Sequence, residues 1–301
     1  MRVKIIMNPY SNSGRASKEQ TAVIQAVKSQ GDCHFAMTEH SGHARQLASE
    51  AALEGYDVVV AAGGDGTVHQ VINGLFDAAQ PGAKFGVIPI GSGNDFAFAR
   101  NILVDVDTAV QRIFHGKPTK FDLARVEDDR GRTELIGNNF GVGFDANVVI
   151  RTAEITKATG FLMYLLGVFK TLRYDFEMVP LVIQFDEEHV AQDVLLIAFG
   201  IGPRHGGGFF LTPDALLQDN LVDSCLVHVL NRPTALYMLS RAIKGTHITS
   251  HHVTMRQNER IQIYSEMALP VHIDGEVFAY PEDDVHHLTI TSLPGVLEMM
   301  V

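Results

Sequence analysis

The chain has 301 residues, long enough for two ordinary domains or one large one. Hydrophobic residues make up 46% and charged residues 20%, which excludes a disordered chain, a collagen-like repeat and a disulfide-stapled miniprotein. There are 24 Lys and Arg against 35 Asp and Glu, a net charge of -11. Phosphate repulsion therefore argues against nucleic-acid binding, and any contact with anionic lipid has to be local. The two cysteines, Cys33 and Cys225, lie far apart. They suit a reducing compartment and define neither a disulfide framework nor a zinc site. The best apolar stretch, 161–169, is about half the ~20 residues a spanning helix needs. Residues 1–7 read as a first strand rather than a signal peptide, so the expected location is cytoplasmic.

In chain order, Val3–Met7 is a β-rich run that ends at Asn8-Pro9. A helix is predicted over 15–29, with Ala16, Val23, Ala26 and Val27 on its apolar side. A short strand at 34–37 and a helix at 43–53 follow. Residues 57–62 contain Val58-Val59-Val60, a continuous apolar run that suits a strand buried on both faces of a parallel sheet. A helix at 68–76, a strand at 85–90 and a helix opening at 94–99 continue the alternation. This pattern predicts a layered α/β domain. From about Thr119 the runs become β-like: 121–126, 181–185, 194–200, 222–230, 260–265, 271–273 and 286–291. Helices are expected only at about 146–176 and 233–244. The chain is therefore predicted to hold an α/β domain over 1–120 and an antiparallel β-rich domain over 121–293. The tail, 294–301, is a candidate to return to the first domain.

The strongest local signal is Gly63-Gly64-Asp65-Gly66-Thr67, between the strand at 57–62 and the helix near Val68. Glycines let backbone amides approach a phosphate, and a helix N-terminus adds unpaired N–H groups. Asp65 could hold Mg²⁺ beside that phosphate, and Thr67 could cap the helix or donate to phosphate. A second loop, Gly91-Ser92-Gly93-Asn94-Asp95, follows the next strand, at the sheet edge where ligands bind in such folds. Asp95 either adds a second carboxylate for Mg²⁺ or caps the next helix. A third polar loop runs over 8–14. Neither a P-loop nor Gly-x-Gly-x-x-Gly occurs.

Asn8-Pro9, the Gly63 to Thr67 loop, Gly91-Ser92-Gly93-Asn94-Asp95-Phe96-Ala97 and Asp274-Gly275-Glu276 occur in that order. Asn138-Asn139-Phe140-Gly141-Val142-Gly143-Phe144-Asp145-Ala146, Gly206-Gly207-Gly208, Pro213-Asp214-Ala215 and Asp219-Asn220-Leu221-Val222-Asp223 add to the pattern. With these motifs the sequence resembles the bacterial soluble lipid kinases of the diacylglycerol kinase and sphingosine kinase superfamily, over essentially its whole length. The resemblance implies an α/β nucleotide-binding domain of NAD kinase and phosphofructokinase type. It also implies a β-sandwich-like second domain, with the active site in the cleft between the two. It assigns ATP to Asn8, Pro9, Tyr10, Ser11, Asn12, Thr38, Gly63, Gly64, Asp65, Gly66, Thr67, Val68, His69, Ser92 and Asn94. A carboxylate and Mg²⁺ network would draw on Asp65, Asp95, Asp122 and Glu276, and a general base on Asp274 or Glu276. A structural Mg²⁺ would sit at Asp219 with the carbonyls of Leu216 and Leu221. Two glycines usual in the family are Asn12 and Asn220 here, and asparagine is the residue after glycine that best tolerates a left-handed conformation.

Phosphoryl transfer needs positioning, metal charge and a base for the attacking hydroxyl. Asp274 and Glu276 are two apart, so on an extended segment they would point the same way. Glu276 is slightly favoured as the base. The leading reaction is transfer of the γ-phosphate of ATP to diacylglycerol, giving phosphatidic acid. Other lipid alcohols, an NAD kinase and a catalytically idle nucleotide- or lipid-binding regulator remain as alternatives. The expected partner is a membrane lipid, met by transient peripheral contact at the inner membrane surface, and a homo-oligomer is left open. The stretch 161–169, flanked by Lys157, Lys170 and Arg173, is either a core helix or an apolar lip that meets the bilayer. His251-His252 and His286-His287 read as surface histidines. Arg204-His205 either meets a phosphate or a headgroup, or forms a surface loop.

Overall fold

The computed structural model describes residues 1–11, 16–28, 30–78, 82–155 and 157–301. The chain divides into two units, Met1–Phe121 with Gly295–Val301, and Asp122–Pro294. In the first unit the elements are β1 (Val3–Met7), α1 (Ala16–Val27), β2 (Cys33–Met37), α2 (His43–Leu53), β3 (Val58–Gly63), α3 (Asp65–Asp77), β4 (Lys84–Pro89), α4 (Asp95–Ala99) and α5 (Val106–His115). The strands lie parallel in the order β2-β1-β3-β4. β3 is buried along its whole length, as its unbroken apolar run requires. One face of the sheet packs Ile5, Val58 and Val60 against Val23 and Val27 of α1 and Ala109, Val110 and Ile113 of α5. The C-terminus returns here: Met299 pairs with Phe85, and Lys117 and Val301 exchange backbone hydrogen bonds.

Two local readings change. α3 begins at Asp65, three residues before the expected Val68, so Gly64 is the N-cap and Thr67 lies inside the first turn. Thr67 is therefore not the cap. α5 is a helix that the hydrophobic pattern did not bring out. Its signals are the Asp105 cap, which accepts from the Thr108 N–H, and the buried triplet Ala109, Val110 and Ile113.

The second unit contains β5 (Pro118–Asp128), β6 (Thr133–Ile136), β7 (Asn139–Gly143), α6 (Phe144–Thr152), α7 (Gly160–Tyr174), β8 (Val179–Phe185), β9 (Glu188–Gly200) and β10 (Val222–His228). It continues with α8 (Arg232–Ala242), β11 (Val253–Asn258), β12 (Arg260–Tyr264), β13 (Val271–Ile273), β14 (Glu276–Ala279) and β15 (His287–Met300). β5 enters this unit from the first, and β15 leaves it. β9 organises it, because its first half pairs with β8 and its second half with both β7 and β10, all antiparallel. Its side chains alternate between two cores. Ile197 and Phe199 face the strand-lined core with Phe140, Ile261 and Ile290, while Leu196 and Ala198 face α6, α7 and α8. Being buried on both faces, residues 194–200 are uniformly apolar even though every pairing is antiparallel.

The helix expected over 146–176 is two helices, α6 and α7, with Gly160 opening the second at φ +58°. α7 is a core helix on one side and carries exposed apolar residues on the other. Val168 and Thr171 are buried, whereas Leu162, Leu166 and Phe169 are 56%, 41% and 47% exposed. Among the described residues no helix is long and apolar enough to cross a membrane. Phe199 is 1% exposed, and its ring meets Phe140 at 5.0 Å. Phe199→Ala should cost this unit about 3–5 kcal/mol. Urea unfolding followed by circular dichroism reads that loss, and an unchanged midpoint would show that β9 does not carry the core.

Candidate active site

The glycine loops of the first unit touch backbone to backbone. A Cβ at Gly91 would overlap the Cα of Gly64, and one at Gly63 would overlap the Thr67 side chain. Glycine is therefore required by close approach, not only by turn geometry. Asp65, the first residue of α3, reaches across to the second loop, where its Oδ1 accepts from the N–H of Phe96 at 3.0 Å. One carboxylate thus caps α4 and comes to within one residue of Asp95, which is itself 5% exposed. Asn94, at φ +54°, holds its own loop: its Oδ1 accepts from Gly91 N at 3.1 Å and its Nδ2 donates to Gly91 O at 2.9 Å. Its side chain shapes the loop, and Ser92 is the exposed residue there. Arg100 is buried with its guanidinium 3.6 Å above the Phe96 ring, which backs the same turn.

The Asn8 loop joins this group. Asn8 Nδ2 donates to Thr67 Oγ1 at 3.3 Å, and Asn8 Oδ1 accepts from Tyr10 N at 2.9 Å in an Asx turn. Ser11 N donates to Asn8 O, Pro9 is part-buried and Tyr10 is exposed. Asn12 lies outside the described residues. Thr38 is buried at the end of β2, where its N–H bonds Met7 O. Gly66 follows Asp65 in the first turn of α3. Val68 and His69 are buried farther along it, so Val68 can offer a ligand only its backbone. The result is a rim of exposed or part-buried glycine, Ser and Asn positions around the first turn of a helix, which is the arrangement that receives a phosphate.

In the second unit Asp274 and Glu276 do not lie on an extended segment. Asp274 (φ +50°) and Gly275 (φ +84°) form the two-residue turn between β13 and β14, with Ile273 opposite Glu276. The two acids consequently have different surroundings. Asp274 is 7% exposed and accepts three backbone N–H groups, Gly137 at 2.8 Å on Oδ2 and Asn138 and Asn139 at 2.8 and 2.9 Å on Oδ1. Glu276 is exposed. Asp274 is thus committed to main-chain donors, whereas Glu276 faces solvent.

Asp122, 2% exposed on β5, accepts from Asn220 N at 2.8 Å, and its own N–H bonds Leu217 O. It therefore braces the segment expected to hold a structural cation. Within that segment Asp219 Oδ1 accepts from Leu221 N at 3.1 Å, Asn220 takes φ +67°, and Leu216 is exposed. Burial first, and then the charges of Asp219 and Asp214, push the nearby Asp223 carboxyl up to about 6. That concentration of negative charge suits a hard cation with oxygen ligands. Among the described residues no three His, Cys, Asp or Glu side chains are arranged to hold a metal, so a site at Asp219 would have to draw on carbonyl oxygens. The structure groups Asp65 with Asp95 in the first unit, and Asp122 with the Asp219 segment in the second.

Other sequence readings also shift. His205 is buried and bonds Thr212 at 3.2 Å, so it does not meet a phosphate. Sequence reasoning found the run 138–146 as a motif but not the role of its first amides as ligands of Asp274; main-chain donors leave no side-chain signature. It also missed an almost wholly apolar cavity of about 70 Å³ between α7, α8, β9 and β10, lined among others by Phe144, Leu172, Leu196, Met238 and His247. The apolar runs at these positions read equally well as filled core.

Comparison with known proteins matches residues 2–126 to the diacylglycerol kinase catalytic domain. Residues 138–301 match the YegS C-terminal NAD kinase beta sandwich-like domain. A diacylglycerol kinase of Staphylococcus aureus strain bovine RF122 / ET3-1 is 30% identical over 283 residues, covering 91% of this chain and 86% of that protein. The diacylglycerol kinase of strain MRSA252 gives the same values. A crystal structure of a diacylglycerol kinase from Bacillus anthracis str. Sterne superposes with a TM-score of 0.71 at 21% identity, covering 99% of this chain and 96% of that one. Another crystal structure from that organism reaches 0.78 at the same identity, with 97% of its chain covered. The two domain matches, and a relative at 30% identity along nearly the whole length, lead to one conclusion: the chain belongs to the diacylglycerol kinase family of lipid kinases.

Proposed function

We propose that this protein is an ATP-dependent diacylglycerol kinase, giving phosphatidic acid and ADP. The observation that carries the lipid reading is the apolar cavity of about 70 Å³ in the second unit, beside a helix whose outer face is also apolar. A polar dinucleotide has no use for either feature, which weighs against an NAD kinase. The glycine loops and the first turn of α3 receive the triphosphate through backbone N–H groups. Mg²⁺, when bound, would supply positive charge against the phosphates, with Asp65 and Asp95 as the carboxylates that would hold it, and a second ion at Asp219 would brace the fold. Glu276 takes the proton of the lipid hydroxyl. The hydroxyl oxygen bonds to the γ-phosphorus as the bond to the bridging oxygen breaks, and ADP leaves with that electron pair.

The lipid substrate lies in a bilayer, so the enzyme has to meet one. Leu162, Leu166 and Phe169 form an exposed apolar stripe on α7, and Lys157, Lys170 and Arg173 line the open groove beside it. This combination fits insertion at the headgroup level of an anionic surface despite the net negative chain. Cytoplasmic residence at the inner membrane face follows from that reading.

Two experiments test the assignment. In Gly91→Ala the added methyl pushes the two loops apart, and ATP affinity should fall at least about tenfold, ~1.4 kcal/mol, by calorimetry. Gly82→Ala, where a Cβ meets nothing within 4 Å, should leave affinity unchanged. Equal affinities in both variants would remove the loops from nucleotide binding. On vesicles containing diacylglycerol, Glu276→Gln should cut turnover by ~10²–10⁴-fold with an unchanged melting temperature. Asp274→Asn should chiefly lower the melting temperature, because a neutral amide oxygen is a weaker acceptor for three N–H groups. The reverse pattern would make Asp274 the base.

A further inference from the structure

A buried polar chain in the second unit is left unexplained by the site described so far. Tyr164 Oη, on α7, donates to Asp145 Oδ1 at 2.6 Å, and Asp145 Oδ2 lies 3.0 Å from His272 Nε2. The Asp145 and His272 side chains are 4% and 3% exposed. Room for the pair is built into the backbone, since a Cβ at Gly141 on β7 would overlap both Asp145 Oδ2 and His272 Nε2. The glycine run after His205 serves the same group. Gly206, at φ +55°, sits where a Cβ would come within 2.7 Å of the Tyr164 ring.

His272 is the middle residue of β13, two residues before Asp274, and Ile273 next to it pairs with Glu276. Burial alone would raise the Asp145 carboxyl, but the charge and hydrogen bond of His272 outweigh it and hold the carboxyl below its ordinary value. His205, the other imidazole near the pair, is pushed by burial down to about 4 and stays neutral. A buried carboxylate–imidazole contact is a poor way to gain stability, since apolar side chains of equal volume do as well, whereas its directional hydrogen bonds join the two elements that carry it.

We propose that Tyr164, Asp145 and His272 are positioning residues that tie α7 to the β13–β14 turn and thereby set the place of Glu276. The proposal rests on Glu276 as the base. α7 is also the helix whose outer face presents Leu162, Leu166 and Phe169. The chain of hydrogen bonds therefore links the lipid-facing helix to the turn that acts on the lipid hydroxyl.

The test combines kinetics with hydrogen exchange on the full chain. Tyr164→Phe deletes one hydroxyl and should lower kcat on the order of 10- to 100-fold, with KM for ATP and melting temperature unchanged. Amide exchange over 271–277 should speed up while β1 and β3 keep wild-type protection. In a Glu276→Gln background Tyr164→Phe should cause no further loss of kcat, because the chain acts through that residue. His272→Gln, which keeps an N–H for Asp145, should retain more activity than His272→Leu. The same fold-loss in both backgrounds, or wild-type kcat with unchanged exchange, overturns the proposal. If Glu276→Gln alone keeps wild-type turnover, the base assignment has failed, and the exchange data decide the link by themselves: faster exchange over 271–277 supports it and unchanged exchange overturns it.

Discussion

Three backbone amides converge on one carboxylate in the second unit, those of Gly137, Asn138 and Asn139 on Asp274. Left unpaired, a buried carboxylate is expensive, and three buried amides are costly as well. Satisfying each other, they lock the start of β7 to the end of β13. Asp274 N donates to Asn139 O, which closes the same junction from the other side. The turn can then hold two consecutive residues at positive φ, and its exposed acid, Glu276, receives a fixed origin. β7 runs from this junction into α6, where Asp145 sits in the first turn. The β13–β14 turn, the motif over 138–146 and the buried Tyr164 chain thus all hang from one charge-assisted cluster.

In the first unit the junction is made by close backbone approach instead. Gly64 and Gly91 pack backbone to backbone, which brings the two loops together at the first turn of α3. Asp65 caps α4 from a neighbouring helix, and Asn94 bonds both polar atoms of its own loop. These contacts stiffen the rim while leaving the N-terminal N–H groups of α3 without intrahelical partners, as at any helix start. A stiff rim at a helix start is the arrangement that receives a phosphate. The second unit has in addition an apolar cavity beside α7, lined by Leu and Met side chains.

Much of this was legible in the sequence. Strand–glycine–helix junctions at 63–67 and 91–95 are set by local chemistry, so both loops could be placed. Asp65 was read as a metal carboxylate, but its hydrogen bond to Phe96, 31 residues away, is a tertiary fact that the sequence does not carry. At 274–276 the Asp-Gly pair marks a hairpin turn, and the expectation that both acids point the same way holds only on an extended strand. α5 was passed over although Asp105 and Thr108 mark its start. The division of 146–176 into two helices is marked in the sequence by the largely polar stretch 151–159 and by Gly160, both of which a single helix would have to run through. The Tyr164–Asp145–His272 chain joins residues up to 127 apart in sequence. It depends on β7 and β13 being neighbours, which only the topology supplies.

The central claim is that a phosphoryl group passes from ATP to a membrane lipid alcohol, diacylglycerol in particular. The most direct measurement is incubation of the purified protein with γ-labelled ATP, Mg²⁺, NAD and vesicles made from a total bacterial lipid extract, with each labelled product identified by mass spectrometry. A diacylglycerol kinase leaves label in phosphatidic acid and none in NADP. Label in NADP alone, or ATP consumed with no lipid labelled, would contradict the claim.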